Sequence, residues 1–218
     1  MGSREATVLA STVVRVSPSS MPDICDLILD DHELFRRRFA ELDDELHSEP
    51  SVVGALWQPL AEHLERHASA EEEVFYPQLL ERVDDGEHET HHAVRDHNKI
   101  RDALRKVAAT EPGSDAWWEA VGAANEENSD HMAEEERGPL SAFRRHAGQE
   151  IRKELGARFV AFNAEHAGGR ELDTDDVDPD EYIEDHTSAQ ARAASSSTPR
   201  VRGDEESEVD MKRAQAGE

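Results

Sequence analysis

The chain has 218 residues, enough for one domain of ordinary size with tails. Its 50 acidic and 24 basic side chains leave a formal charge of −26, which argues against nucleic acid or an anionic membrane as partner, because phosphates would be repelled. Only 36% of the residues are hydrophobic and 5% aromatic, so part of the chain has no core to join.

Residues 1–21 show no helical period and run through Ser17-Pro18-Ser19-Ser20, which predicts a loose arm. Their apolar run, Val8 to Val14, is short and broken by Ser11 and Thr12, too weak for a signal peptide. Met21 stands just ahead of the first amphipathic segment and reads as the natural start. A first helix is predicted over about 22–47, with Ile24, Ile28, Phe35, Phe39 and Leu42 on one side. A second covers about 51–83, with Ser51 as N-cap, a stripe through Leu56, Leu60, Leu64, Val74 and Leu79, and kinks expected at Pro59 and Pro77. After a turn at Asp85-Gly86, a third covers about 87–109 and carries Val94, Ile100, Leu104 and Val107. A fourth follows Pro112-Gly113 over about 114–145, with Trp117, Val121, Ala124, Leu140 and Phe143, and a fifth covers about 148–166.

From residue 168 the text turns acidic, with almost nothing apolar beyond Tyr182-Ile183, so 168–218 is expected to be a disordered tail. Long helices joined by short Gly/Pro turns imply antiparallel neighbours. The expected fold is all-α: an up-down four-helix bundle over 22–145, with an additional packed helix at 146–167. One cysteine, Cys25, cannot close an intramolecular disulfide, and no stretch reaches the roughly 18 apolar residues of a membrane span. A cytoplasmic location is therefore expected.

The informative feature is where histidine and glutamate fall on the apolar stripes. On the first helix Ile28, His32, Phe35 and Phe39 share a face; on the second, Leu60, His63, His67, Glu71 and Val74 do. On the third, His97 sits between Val94 and Leu104 with Arg101; on the fourth, Asn128, His131 and Glu135 continue the stripe from Trp117. Four helices thus each turn a histidine inward, and two add a glutamate one turn later, close enough to meet the same ion. Buried carboxylates are costly alone, which makes a bound cation the natural explanation. The pattern also repeats: His32 precedes His67 by 35 residues and His97 precedes His131 by 34. Each half supplies one lone histidine and one His-x-x-x-Glu pair, as a two-metal site bridged by two carboxylates about 3.5–4 Å across requires, and the donor set suits iron.

Asp31-His32-Glu33-Leu34-Phe35, His67-x-x-x-Glu71-Glu72 running to Phe75-Tyr76-Pro77, Asp96-His97-Asn98 and His131-x-x-x-Glu135-Glu136 together resemble the hemerythrin family's cation-binding domain over about residues 22–145. The resemblance implies a non-haem pair of iron ions, bridged by two carboxylates and an oxo or hydroxo group, with His32, His67, Glu71, His97, His131 and Glu135 as ligands. The chain departs from the oxygen-carrying members at Ala93, four residues before His97, where they place a further histidine; His92 is one residue out of phase. Those members also end on a carboxylate five residues after the last histidine, which here would be Glu136. The arrangement is similar to the branch that reacts with or senses oxygen, peroxide or nitric oxide, with an iron-storing or iron-sensing module as the alternative.

Other residues carry blander expectations. His63 is open to three readings: ligand, outer donor or boundary residue; Tyr76 is a core aromatic within reach of a metal. Glu72, Glu73, Glu134 and Glu136 read as a mostly solvated face, one of which could tune a ligand histidine. Arg101 either pairs with a carboxylate or snorkels. His146 and His166 read as solvated, and Cys25 as an inert buried thiol. Only Glu89 and His92 form Glu-x-x-His, so a ferritin-like site is disfavoured.

Overall fold

A computed structural model describes residues 21–197, so the expected N-terminal arm and the end of the tail lie outside the described residues. In chain order the helices are α1 (Ile24–Asp44), α2 (Pro50–Ala70), a π-helical turn (Glu71–Phe75), α3 (Tyr76–Arg82), α4 (Gly86–Ala108), α5 (Asp115–Arg137), α6 (Pro139–His146), α7 (Gln149–Glu165) and α8 (Pro179–Ser197). No strand occurs among the described residues, and none of their helices is long and apolar enough to cross a membrane. The bundle is all-α, as its periodicity predicts.

Local chemistry sets the helix ends. Asp23 caps α1 by accepting from the Cys25 N–H at 3.0 Å, and its other oxygen holds Arg152 of α7 at 2.6 Å. Ser114 caps α5 through the Trp117 N–H, and Pro50 opens α2 where a missing N–H costs nothing. The fourth predicted helix divides at Gly138: Pro139 restarts the chain as α6, because its ring is tolerated only in a first turn. The second divides at the π turn, where the Tyr76 N–H reaches back five residues to the Glu71 carbonyl. That extra residue rotates the helix, so the neighbours Glu71 and Glu72 are both buried.

Apolar side chains form two separate clusters. One gathers Ile28, Val74, Phe75, Val94, Phe143 and Phe159 around the α1 start, α3, α6 and α7. The other gathers Phe35, Leu60, Leu64, Ile100, Trp117 and Val121 at the opposite end of the bundle. On each long helix the residues between the clusters are the inward histidines and glutamates. A polar layer therefore crosses the middle of the bundle, sealed on both sides.

The tail departs from its expected disorder. Residues 171–178 run as a strap, and α8 packs on α3 and α4. Few apolar residues are available there, yet Val177, Tyr182 and Ile183 all join the first cluster, with Tyr182 buried. Asn98 and Arg105 of α4 supply hydrogen bonds to Val177, Thr174 and Asp176. Composition averages over the segment and misses three apolar residues that meet one groove.

The additional helix α7 lies hard against the start of α1. A Cβ on Gly156 would stand 2.0 Å from the Pro22 carbonyl oxygen, whereas one on the exposed Gly122 of α5 would meet nothing within 4 Å. Gly156→Ala is expected to destabilise the fold by about 1–3 kcal/mol through overpacking. Gly122→Ala should stabilise it by about 0.5–1 kcal/mol through helix propensity. Urea unfolding of the two variants checks the pair; equal midpoints would contradict the packing of α7 on α1.

Candidate metal centre

The polar layer contains all six residues singled out by their helical phase. His32 comes from α1, His67 from α2, Glu71 from the π turn, His97 from α4, and His131 and Glu135 from α5; all are buried, the two glutamates at 0% and 1% exposure. Charged carboxylates at that depth cost several kcal/mol each unless paired, so their surroundings must supply positive charge.

Donor atoms of His32, His67 and Glu71 lie within 4.8 Å of one another, and so do those of Glu71, His97 and His131. Glu71 belongs to both groups. Its Oε1 is 3.1 Å from His67 Nε2, while its Oε2 is 3.2 Å from His97 Nε2 and 3.9 Å from His131 Nε2. Glu135 faces it, with Oε2 3.3 Å from His32 Nε2 and Oε1 accepting from the Tyr76 hydroxyl at 3.1 Å. Tyr76 also lies 3.4 Å from both Glu71 Oε2 and His97 Nε2.

Tyr76 makes hydrogen bonds there, but the short His67–Glu71 and His32–Glu135 contacts are not aligned as hydrogen bonds. His32 Nε2, His67 Nε2, Glu71 Oε1 and Glu135 Oε2 are all buried without a hydrogen-bond partner. Buried donor and acceptor atoms left without hydrogen bonds are costly, and a cation between them would satisfy the lone pairs. His97 Nε2 and His131 Nε2 likewise face each other at 3.2 Å, a contact that needs a proton or a cation between two lone pairs. The donor set of two nitrogens and carboxylate oxygens on each side fits a pair of first-row metal ions.

The outer nitrogens of three histidines are occupied. His32 Nδ1 is 3.1 Å from Glu136, which also holds Arg36; His67 Nδ1 is 3.1 Å from Asp31, whose other oxygen is 3.2 Å from His63. His97 Nδ1 is 2.8 Å from Glu72, whose other oxygen takes Arg101 at 2.7 Å. A carboxylate on Nδ1 keeps the proton there and turns the Nε2 lone pair inward. His63 is therefore an outer donor, and Arg101 pairs with Glu72 and Asn98 rather than with Glu71 or Glu135. Glu136 sits outside His32, not in the inner group.

One outer partner departs from its expected place, and another carried no expectation. Glu72 is 8% exposed rather than solvated, because the π turn brings it in. Asp31 was not singled out, although it stands beside His32 and faces His63 and His67, one turn apart on α2. Glu73 and Glu134 are exposed, as is His146 at the end of α6, and His166 just past α7 is half-buried. Cys25 is buried, and burial followed by the Asp23 charge pushes its thiol up to about 12. A further trio, the exposed Asp85 and His88 with the half-buried Glu89, also falls within 4.8 Å but lies at the start of α4, outside the polar layer.

Protonation follows from this packing. Burial opposes charge on His67, but the Glu71 charge and the Asp31 hydrogen bond overcome it and raise the imidazole to about 10. Burial would raise Glu71, yet His67, His131 and His97 hold it well below the usual carboxylate range. Asp31 is held low in the same way, by His63 and His67 against its own burial. Without metal, a proton on His67 offsets the Glu71 charge.

A sealed layer of histidines and carboxylates inside an antiparallel helical bundle defines a cation-binding helical protein. The chain belongs to the hemerythrin family: the model of the hemerythrin HHE cation binding domain matches residues 23–142. It is also similar to a DNA nickase of Nostoc sp. (strain PCC 7120 / SAG 25.82 / UTEX 2576), 26% identical over 153 residues, which are 70% of this chain and 42% of that protein. The chain thus spans less than half the length of that relative. No solved structure matches it.

The raised His67 and lowered Glu71 fix the pH response of the metal-free protein. His67 contributes stability in full below its ordinary 6.5, and that contribution is lost as pH climbs through about 10. Glu71 contributes above its ordinary 4.5 and loses that only as pH falls well below it. With chelator present, the melting temperature is expected to be highest between 4.5 and 6.5 and to fall towards pH 10, by on the order of 5 °C or more. Circular dichroism melts across pH check this, and a melting temperature that climbs from pH 6.5 to 10 would contradict it.

Proposed function

We propose that the polar layer holds two iron ions, with His32 and His67 on one, His97 and His131 on the other, and Glu71 and Glu135 shared between them. The observation that carries this is four buried atoms without hydrogen-bond partners, in two close pairs: His67 Nε2 with Glu71 Oε1 and His32 Nε2 with Glu135 Oε2. Their donor chemistry suits iron better than the harder cations, which prefer oxygen alone. When bound, such a pair supplies redox chemistry towards oxygen, peroxide or nitric oxide, and reaction with or sensing of these molecules is the proposed role.

Access supports reaction over storage. A cavity of about 20 Å³ touches His131 and Glu135 and is lined by Ala93, Asp96, His92 and Glu89, with the exposed Glu134 at its rim. That is room for about one water-sized molecule. Ala93, where oxygen carriers have a histidine, lines this space with a methyl group and leaves it open. The outer carboxylates Glu136, Asp31 and Glu72 orient the histidines, and the two apolar clusters keep bulk water from the layer. The relative's name concerns DNA, but a charge of −26 repels phosphates and nothing in the layer meets them, so no nucleic-acid role is proposed.

Purified protein is expected to contain about two irons per chain. His67→Ala and His131→Ala should lower that content and the melting temperature, whereas His146→Ala and His166→Ala should change neither. Equal iron loss in all four would mean the layer is not the site. Stopped-flow absorption after mixing the reduced protein with oxygen tests reactivity: wild type should oxidise rapidly and irreversibly, and Ala93→His should give a longer-lived oxygen adduct. A stable, reversible adduct in the wild type would contradict this account, and a spectrum indifferent to oxygen and peroxide would favour storage.

A further inference from the structure

The tail reaches the metal layer through an unmet need of the π turn. Within a regular α-helix the Glu72 carbonyl would accept from the Tyr76 N–H, but that N–H goes to Glu71 instead. In a continued π-helix the next donor would be residue 77, which is proline and has no N–H. The Glu72 carbonyl is therefore left without a donor from its own helix at either spacing, in a buried position where an unpaired backbone oxygen is costly. The hydroxyl of Tyr182, the first large side chain of α8 and itself buried, donates to that carbonyl.

A second connection runs from the strap through side chains. Asn98 Nδ2 donates to the Val177 carbonyl at 2.7 Å, and the Val177 N–H donates back to Asn98 Oδ1 at 3.0 Å. Arg101 Nη1 donates to the same Asn98 oxygen at 3.2 Å, and its Nη2 to Glu72 Oε2 at 2.7 Å. The remaining Glu72 oxygen meets His97 Nδ1 at 2.8 Å. The tail thus holds Glu72 twice, by its backbone through Tyr182 and by its carboxylate through Asn98 and Arg101. Glu72 in turn sets the direction of His97.

We infer that Tyr182 and Val177 are positioning residues of the metal centre: they fix Glu72 and, through it, His97, so that the docked tail sets how slowly the ion on the His97–His131 side is released. This rests on the reading of His97 as a ligand. It adds to that reading a segment, residues 171–188, that lies wholly outside the residues matched by the family model. The reach is specific to one side of the layer. His32 and His67 take their outer carboxylates from Glu136 and Asp31, which neither the strap nor α8 is seen to touch.

The test compares full-length wild type with Tyr182→Phe, which removes only the hydroxyl, and Val177→Pro, which removes the strap N–H together with the valine's packing on the first cluster. Each is loaded with ferrous iron, and its release to an excess of a chromogenic chelator is followed. Urea unfolding and amide hydrogen exchange over residues 71–77 are measured on the metal-free forms. Both variants are expected to load two irons and to release one of them about tenfold faster or more, the other at the wild-type rate. Exchange should rise over 71–77 in Tyr182→Phe, with the urea midpoint little changed. Acceleration of both ions alike, in step with a lowered midpoint, would make the tail a general stabiliser and overturn the inference. So would release and exchange indistinguishable from wild type. A wild type that binds no iron would overturn the metal assignment itself, whereas two irons that leave all three proteins equally slowly would overturn this inference alone.

Discussion

Two carboxylates, Glu71 and Glu135, sit in the middle of a helical bundle with apolar layers above and below them, and most of the architecture answers to that placement. At such depth an ion is far from water, and an uncompensated charge costs several kcal/mol, comparable with much of a domain's net stability. Compensation must therefore come from within reach of the carboxylate oxygens. Four histidines from four helices stand within reach to supply it, as ligands to cations that the carboxylates would share. The same requirement explains why the inward nitrogens of His32 and His67 are left without hydrogen-bond partners beside the carboxylates. It also explains why three of those rings carry a carboxylate on their outer side.

The π turn is the local device that makes room for this chemistry. By adding one residue to a turn, it buries Glu71, Glu72 and Tyr76 together, which a regular α-helix would spread around its circumference. Glu71 then spans both histidine groups and Glu72 stands behind His97, so adjacent residues serve the inner and outer layers. The cost is a backbone carbonyl without a helical donor, and the tyrosine of α8 meets it. Bundle, turn and tail are coupled through that one segment.

Much of this was legible in the sequence because helical phase is a strong signal over long amphipathic segments. Ile28, His32 and Phe35, or Val94 and His97, place a histidine among core residues by spacing alone, and all six inward residues lie where that spacing put them. Glu72 was not legible, since its burial depends on a π turn that no periodicity announces. Asp31 was half legible: it stands beside His32, but its role follows from the approach of α2, which a single helix does not reveal. The described part of the tail, residues 171–188, packs where composition predicts disorder, because composition counts apolar residues without regard to whether they meet. Val177, Tyr182 and Ile183 are few, yet they land together on the first cluster and bring hydrogen-bond partners with them.

The central claim is that two cations sit in the polar layer, each between a histidine pair and both against the same two glutamates. Anomalous X-ray diffraction at the iron absorption edge, on crystals of the iron-loaded protein, tests it most directly. The account predicts two peaks in the layer, one against His32 and His67 and the other against His97 and His131, each within reach of Glu71 and Glu135. A single peak, or peaks confined to the trio of Asp85, His88 and Glu89, would contradict it.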